Sequence, residues 1–208
     1  MEVLRADRLP FDPRPALSHL FVECFPAGVI SISKDKDLLK AVFCHMFHLE
    51  QFFVALVNGR IVAMLACTKD GSPAIHLEKE PFTRNLGFLW GNLSFYRLKN
   101  RMVRSEDSGL IINKNTGHIE FVATDPEYRR KGAARELIRH TLASGSFFTY
   151  ALRVADTNQG ALRLYQNMGF REVKREHAAK PKRTGVNYII YMKASKPPHS
   201  APDQAQGR

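Results

Sequence analysis

The residues with most chemistry in this 208-residue chain sit in one stretch, Thr124-Asp125-Pro126-Glu127-Tyr128-Arg129-Arg130-Lys131-Gly132-Ala133-Ala134-Arg135-Glu136-Leu137. A strand pattern over residues 118–123 precedes it, and a helix pattern follows. Strand, basic glycine turn and helix together suit a bound phosphate. The first amides of a helix have no partner within it and point at whatever lies before it. Gly132 lets a ligand come close to the backbone, having no side chain, and Arg129, Arg130 and Lys131 add positive charge. On the strand, His118 and Glu120 are two residues apart and share a face, which Val122 and Thr124 are expected to continue. Ile119, Phe121 and Ala123 then make the other face apolar. Such a strand either lines a cleft with two proton-accepting groups or ends at a solvated edge of a sheet.

The spacing is more specific than this physics. Arg129-x-x-Gly132-x-Ala134 resembles the (Gln/Arg)-x-x-Gly-x-(Gly/Ala) signature of the GNAT superfamily of N-acetyltransferases. Asn158, Ala161, Leu164-Tyr165 and Gly169-Phe170 resemble its Asn-x-x-Ala-x-x-Leu-Tyr-x-x-x-Gly-Phe segment. The two matches stand in the family's order, and the resemblance covers residues 118–193.

The resemblance implies an α/β fold of GNAT type. Its sheet is mixed, mostly antiparallel, of six to seven strands flanked by helices, and splayed at the cofactor strand. It implies acetyl-CoA as acyl donor and no metal. The carrier would rest on Arg129, Arg130, Lys131, Gly132, Ala133, Ala134 and Arg135, held mainly by backbone amides. Backbone groups of Val122 and Thr124 would pair with the pantetheine arm, and the Val122 amide would face the thioester oxygen. Asn158 would contact the cofactor or cap its helix. Tyr165 would be the acid for the departing thiolate, or a core tyrosine. Glu120, with His118 second, would be the base or hold its water relay. Enzymes that acetylate ribosomal-protein N-termini resemble residues 150–170 but carry a catalytic glutamate where this chain has Arg153. That departure hints at a partly anionic acceptor.

Acyl transfer to an amine needs a neutral amine, a donor for the developing oxyanion, and a proton for the leaving thiolate. No cysteine accompanies the motifs, so direct attack on the thioester is expected, with a small-molecule amine or peptide as acceptor. One rival is a non-catalytic CoA-binding or sensing domain of the same fold. Another is a nucleic-acid-binding module using the charge of +11, but no helix-turn-helix, zinc-finger or RNA-binding signature supports it. Nucleic acid is therefore disfavoured as a partner. No G-x-x-x-x-G-K-(S/T) occurs, which excludes a P-loop.

Hydrophobic content of 44% with 25% charged residues is ordinary for a soluble globule. The apolar runs are too short to span a bilayer, no membrane partner is expected, and a secretory leader pattern is missing. Cys24, Cys44 and Cys67 read as free thiols in a reducing cytoplasm. A homodimer is compatible with the family.

The elements that must position the site follow from periodicity. A strand is expected over residues 2–6, and helices over 16–25 and 35–49, the second capped by Ser33. Asn58-Gly59 marks a type I′ hairpin between strands 51–57 and 60–67. Residues 82–102 read as mostly helical, weakened by Gly87 and Gly91. Further expectations are a loop over 104–116, a helix over 130–143, a strand over 147–154, a helix over 157–168 closed by Gly169, and strands over 170–176 and 186–193. One domain over residues 1–194 is expected, with 69–117 inserted and 195–208 a disordered tail. The insertion reads as a packing extension or dimer surface, or as a lid in which Trp90, Phe95, Tyr96 and Arg97 shape the acceptor pocket.

Overall fold

Strand β1 (Glu2–Arg5) is followed by helix α1 (Arg14–Cys24), one helical turn α2 (Pro26–Val29) and helix α3 (Lys36–Phe43). Next come β2 (Phe52–Val57), β3 (Arg60–Thr68), α4 (Lys79–Leu86), α5 (Phe88–Glu106) and β4 (Thr116–Thr124). The chain continues through α6 (Ala133–Ser144), β5 (Thr149–Ala155), α7 (Gln159–Asn167), β6 (Arg171–His177), a single turn α8 (Pro181–Thr184) and β7 (Tyr188–Ser195). This computed structural model describes residues 1–69, 72–106, 115–179 and 181–196. The expected tail beyond residue 196 and most of the expected loop over 104–116 lie outside them.

Among the described residues the strands form one seven-stranded sheet in the order β1-β2-β3-β4-β5-β7-β6. Only β4 and β5 run parallel. The mixed, mostly antiparallel sheet expected from the sequence is the sheet observed. The β2–β3 hairpin turns at Asn58 (φ 50°) and Gly59 (φ 76°), the two positive angles a type I′ turn demands. Strand β3 is central, and every residue from Ile61 to Ala66 is buried, because apolar layers cover both of its faces.

One layer packs Leu17 and Leu20 of α1, Val42 and Phe43 of α3, Phe82 of α4 and Phe95 of α5 against the sheet. The opposite layer packs Leu137 and Ile138 of α6 and Leu162 and Tyr165 of α7 against Leu152, Ile190 and Met192. At the far edge β6 carries a bulge between Glu172 and Lys174 where it pairs with β7.

Three expectations needed correction. The cap of α3 is Asp35, whose carboxylate accepts from the amides of Asp37 and Leu38 (2.9 and 3.1 Å), while Ser33 accepts from Asp35 one step earlier. That helix also stops at Phe43, short of residue 49. The helix expected over 82–102 is two helices, broken at Gly87 (φ 77°) and extended to Glu106, into the start of the expected loop.

Gly91 explains how α4 and α5 lie so close: a Cβ there would sit 2.5 Å from the Phe82 carbonyl oxygen and 2.6 Å from Thr83 Cα. Alanine at this position would gain about 1 kcal/mol of helix propensity. It would lose ~1–3 kcal/mol by overpacking against backbone that cannot move aside. Gly91→Ala is expected to lower the urea midpoint, whereas an unchanged or raised midpoint would mean that the two helices separate without cost.

Candidate active site

Strands β4 and β5 pair only from Thr116–Thr149 to His118–Ala151. Beyond that point β4 continues to Thr124 and β5 to Ala155 with no ladder between them, so the sheet forks. Backbone groups along the inner edges of a fork have no strand partner, and an extended ligand arm can take that place.

A bulge reinforces the fork. Between Met64–Ala123 and Ala66–Glu120, β4 carries one residue more than β3, and Phe121 stands there at φ 51°. Such an angle costs a bulky residue about 1–2 kcal/mol. Aromatic packing holds it, with Phe121 against Phe21, Phe25 and Phe52 at centroid separations of 6.1, 6.0 and 6.2 Å.

The bulge corrects the expected faces of β4. Residues opposite one another across a ladder share a face. Glu120 lies opposite Ala66, which belongs to the layer under α1, and His118 lies opposite Thr68. The extra residue turns Phe121 and Ala123 to that layer too, while Val122 joins Ile119 in the layer under α6 and α7. Val122 thus does not continue the His118–Glu120 face. The proton-accepting pair stands on one side of the fork, and Val122 and Tyr165 on the other.

The turn after β4 is held by a clamp. Asp125 is nearly buried, at 5% side-chain exposure, and Arg60 from the hairpin donates to it at 2.7 Å. The second carboxylate oxygen accepts from the Glu127 amide (3.0 Å), and the Asp125 amide donates to Val62 (2.9 Å). Arg60 also lies 3.6 Å from Glu127 and 5.6 Å over the Tyr128 ring, whose centroid is 4.9 Å from Lys131 Nζ. Past this clamp Arg130 takes φ 62° and Gly132 φ 91°. Gly132 is the N-cap of α6 and offers no side chain to its amides, unlike Asp35 on α3. The Glu136 amide bonds the Gly132 carbonyl (3.0 Å), so those of Ala133, Ala134 and Arg135 precede the helix's own ladder. Arg129, Arg130, Lys131 and Arg135 are exposed around them. The residues fit an anionic group: unsatisfied amides, a positive dipole end and open space at Gly132 coincide.

On α7, Asn158 is the N-cap, accepting from the Ala161 amide at 3.2 Å. Tyr165 is 7% exposed and stacks near Phe170 at 6.0 Å. Burial pushes its phenol up to about 12, so it holds its proton at neutral pH. Burial, then the nearby Glu120 carboxylate, push the Cys67 thiol up to about 12, and burial also raises Cys44. Neither is a thiolate near neutrality. Arg153 lies on β5 opposite Tyr191, exposed, and Tyr191 donates to Glu176 at 2.7 Å. Of the aromatic groups expected to shape an acceptor pocket, Phe95 is instead core, and the Trp90 indole donates to the Ile32 carbonyl at 2.8 Å.

The profile of the acetyltransferase (GNAT) family matches residues 14–170, three quarters of the chain and every element from α1 to α7. The chain belongs to the GNAT family. Members of this family use acetyl-CoA. The chain is 33% identical over 97 residues to N-alpha-acetyltransferase 30 of Xenopus laevis, covering 41% of this chain and 34% of that one. The Homo sapiens protein of the same name is 32% identical over 97 residues, covering 41% and 26%. The chain thus spans at most about a third of the length of these curated relatives. An N-acetyltransferase of Staphylococcus aureus Mu50 superposes with TM-score 0.60 at 15% identity, over 93% of this chain and 100% of that one. The ribosomal-protein-S18-alanine N-acetyltransferase of Escherichia coli superposes with TM-score 0.54 at 16% identity, over 99% of each. These likenesses show the GNAT fold.

Two site residues escaped sequence reasoning. Phe121 has no local sign of a positive φ, and Arg60 is joined to Asp125 only by the register of β3 against β4. Removing Arg60 strips a nearly buried carboxylate of its cation. Because Arg60 is itself half exposed, Arg60→Ala is expected to cost only about 1–2 kcal/mol in urea unfolding. It is also expected to raise KM for acetyl-CoA several-fold at little change in kcat. Unaltered KM and stability would mean that the backbone bond to Val62 holds the turn by itself.

Proposed function

We propose that this GNAT protein transfers an acetyl group from acetyl-CoA to a primary amine by direct attack. The observation that carries this reading is the fork between β4 and β5 with the uncapped end of α6 after it. Acetyl-CoA, when bound, supplies the activated thioester. Arg129, Arg130, Lys131, Gly132, Ala133, Ala134 and Arg135 hold its phosphates, chiefly through amides. The β4 backbone at Val122 and Thr124 lines its arm, and the Val122 amide is the donor assigned to the thioester oxygen. Asn158 keeps α7 in register beneath.

The two sides of β4 support a division of labour. Glu120, with His118 as second candidate, takes the amine proton on the α1 side. Tyr165 gives a proton on the α7 side. Cys67, held as a thiol, is no nucleophile. The acceptor is a small amine or a peptide N-terminus, reached over the face that carries Arg153. Residues 1–194 act as one cytoplasmic domain. Among the described residues no helix is long and apolar enough to cross a membrane.

A panel of amines and peptides with acetyl-CoA, followed by free thiol release, tests this reading. Turnover on one acceptor class is expected, and Tyr165→Phe and Glu120→Gln are each expected to slow kcat by about 10²-fold. Calorimetric binding of CoA should survive both substitutions. CoA binding without turnover on any acceptor would favour a sensing domain, and no CoA binding would end the proposal.

The pH dependence follows from Tyr165. A phenol raised to about 12 stays protonated while the acceptor amine loses its proton. The rate is expected to rise with pH to about pH 10 with no fall from the acid. A rate that falls between about pH 8 and 10 while the fold persists would remove Tyr165 from that role.

A further inference from the structure

We propose that the outer face of α5 docks on an anionic lipid surface. The inner face of this helix is already used: Gly91, Ser94 and Phe95 are buried. The outer face is nevertheless apolar. Phe88 is 74% exposed, Leu89 83%, Leu93 44% and Tyr96 51%. Leu89, Leu93 and Tyr96 follow at helical spacing and form one stripe. At about 100° per residue, Lys99 falls on one flank of that stripe and Arg97 on the other, and both are exposed. Residues 88–105 contain no aspartate or glutamate, against cations at Arg97, Lys99, Arg101 and Arg104.

Charge decides the occupant. A second copy would bring like charges together around the same stripe, on a chain of net charge +11. An anionic surface complements them. Shape agrees, because side chains this exposed protrude, whereas an amphipathic partner helix needs a groove to lie in. Aromatic and leucine side chains flanked by snorkelling Lys and Arg suit the headgroup boundary of a bilayer. The expectation of no membrane partner rested on the lack of a spanning segment, and a helix lying on the surface needs none.

Trp90 is the only tryptophan of the chain, so its emission reports on this helix without labelling. At low salt the protein is expected to co-sediment with phosphatidylcholine vesicles containing phosphatidylglycerol, with a blue shift of Trp90. It should not do so with phosphatidylcholine alone. Lys99→Glu is expected to weaken binding by more than the roughly fivefold that one basic residue contributes near such a surface. The double variant Leu89→Ser, Leu93→Ser should abolish it, with an unchanged circular dichroism melt. Three results would overturn the proposal. One is no partition into the anionic vesicles, or equal partition into neutral ones. Another is a dimer in sedimentation equilibrium that dissolves in the double variant. The last is a Trp90 shift with an acidic amphipathic peptide and none with vesicles, which would assign the face to a protein.

Discussion

Phe121 occupies a backbone conformation that phenylalanine rarely adopts, and three rings from α1, its C-terminal end and β2 keep it there. Much of the site depends on this packing. The residue it inserts shifts β4 against β3 and moves Val122 to the opposite face from Glu120. A regular strand would put Val122 on the same face as Glu120 and His118, away from Tyr165. The bulge instead brings Val122 to the layer that holds Tyr165. The aromatic layer under α1 is thus part of the reaction geometry, although none of its rings belongs to the candidate catalytic set.

The second constraint is electrostatic and lies in the turn after β4. Arg130 at positive φ and an uncapped α6 are both unfavourable for an empty fold. The clamp of Arg60, Asp125, Glu127 and Tyr128 offsets them, anchoring the turn to the β2–β3 hairpin. Local instability thereby gathers where an anion would relieve it, while β4 stays paired with β3 up to Thr124.

How far the sequence reveals this varies with the range of the interaction. Asn58-Gly59, the basic glycine turn and Gly169 (φ 86°) are legible because each expresses a local backbone demand. The β2–β3 hairpin strands are legible because a short apolar run is a local signal as well. The cap of α3 went to Asp35 because a carboxylate two residues nearer the helix reaches its amides, and both Ser33 and Asp35 are good cap residues. The break between α4 and α5 was hinted at by glycine, but its closeness is a tertiary fact. The faces of β4 were misassigned because strict period-two alternation ignores a bulge, and Phe121 carries no turn chemistry to announce one. The Arg60–Asp125 pair, 65 residues apart, exists only once β3 and β4 are in register.

The outermost strand, β6, reads Arg171-Glu172-Val173-Lys174-Arg175-Glu176-His177, and six of its seven residues can carry charge. It bulges where Val173, its single aliphatic residue, is 54% exposed. The opposite border, β1, is only four residues long. An open sheet invites unwanted strand addition along its free borders, and these two borders resist it differently, one by charge and kink, the other by brevity. The fork can therefore keep its own unpaired backbone available to a ligand without the rest of the sheet offering rival templates for self-association into fibres.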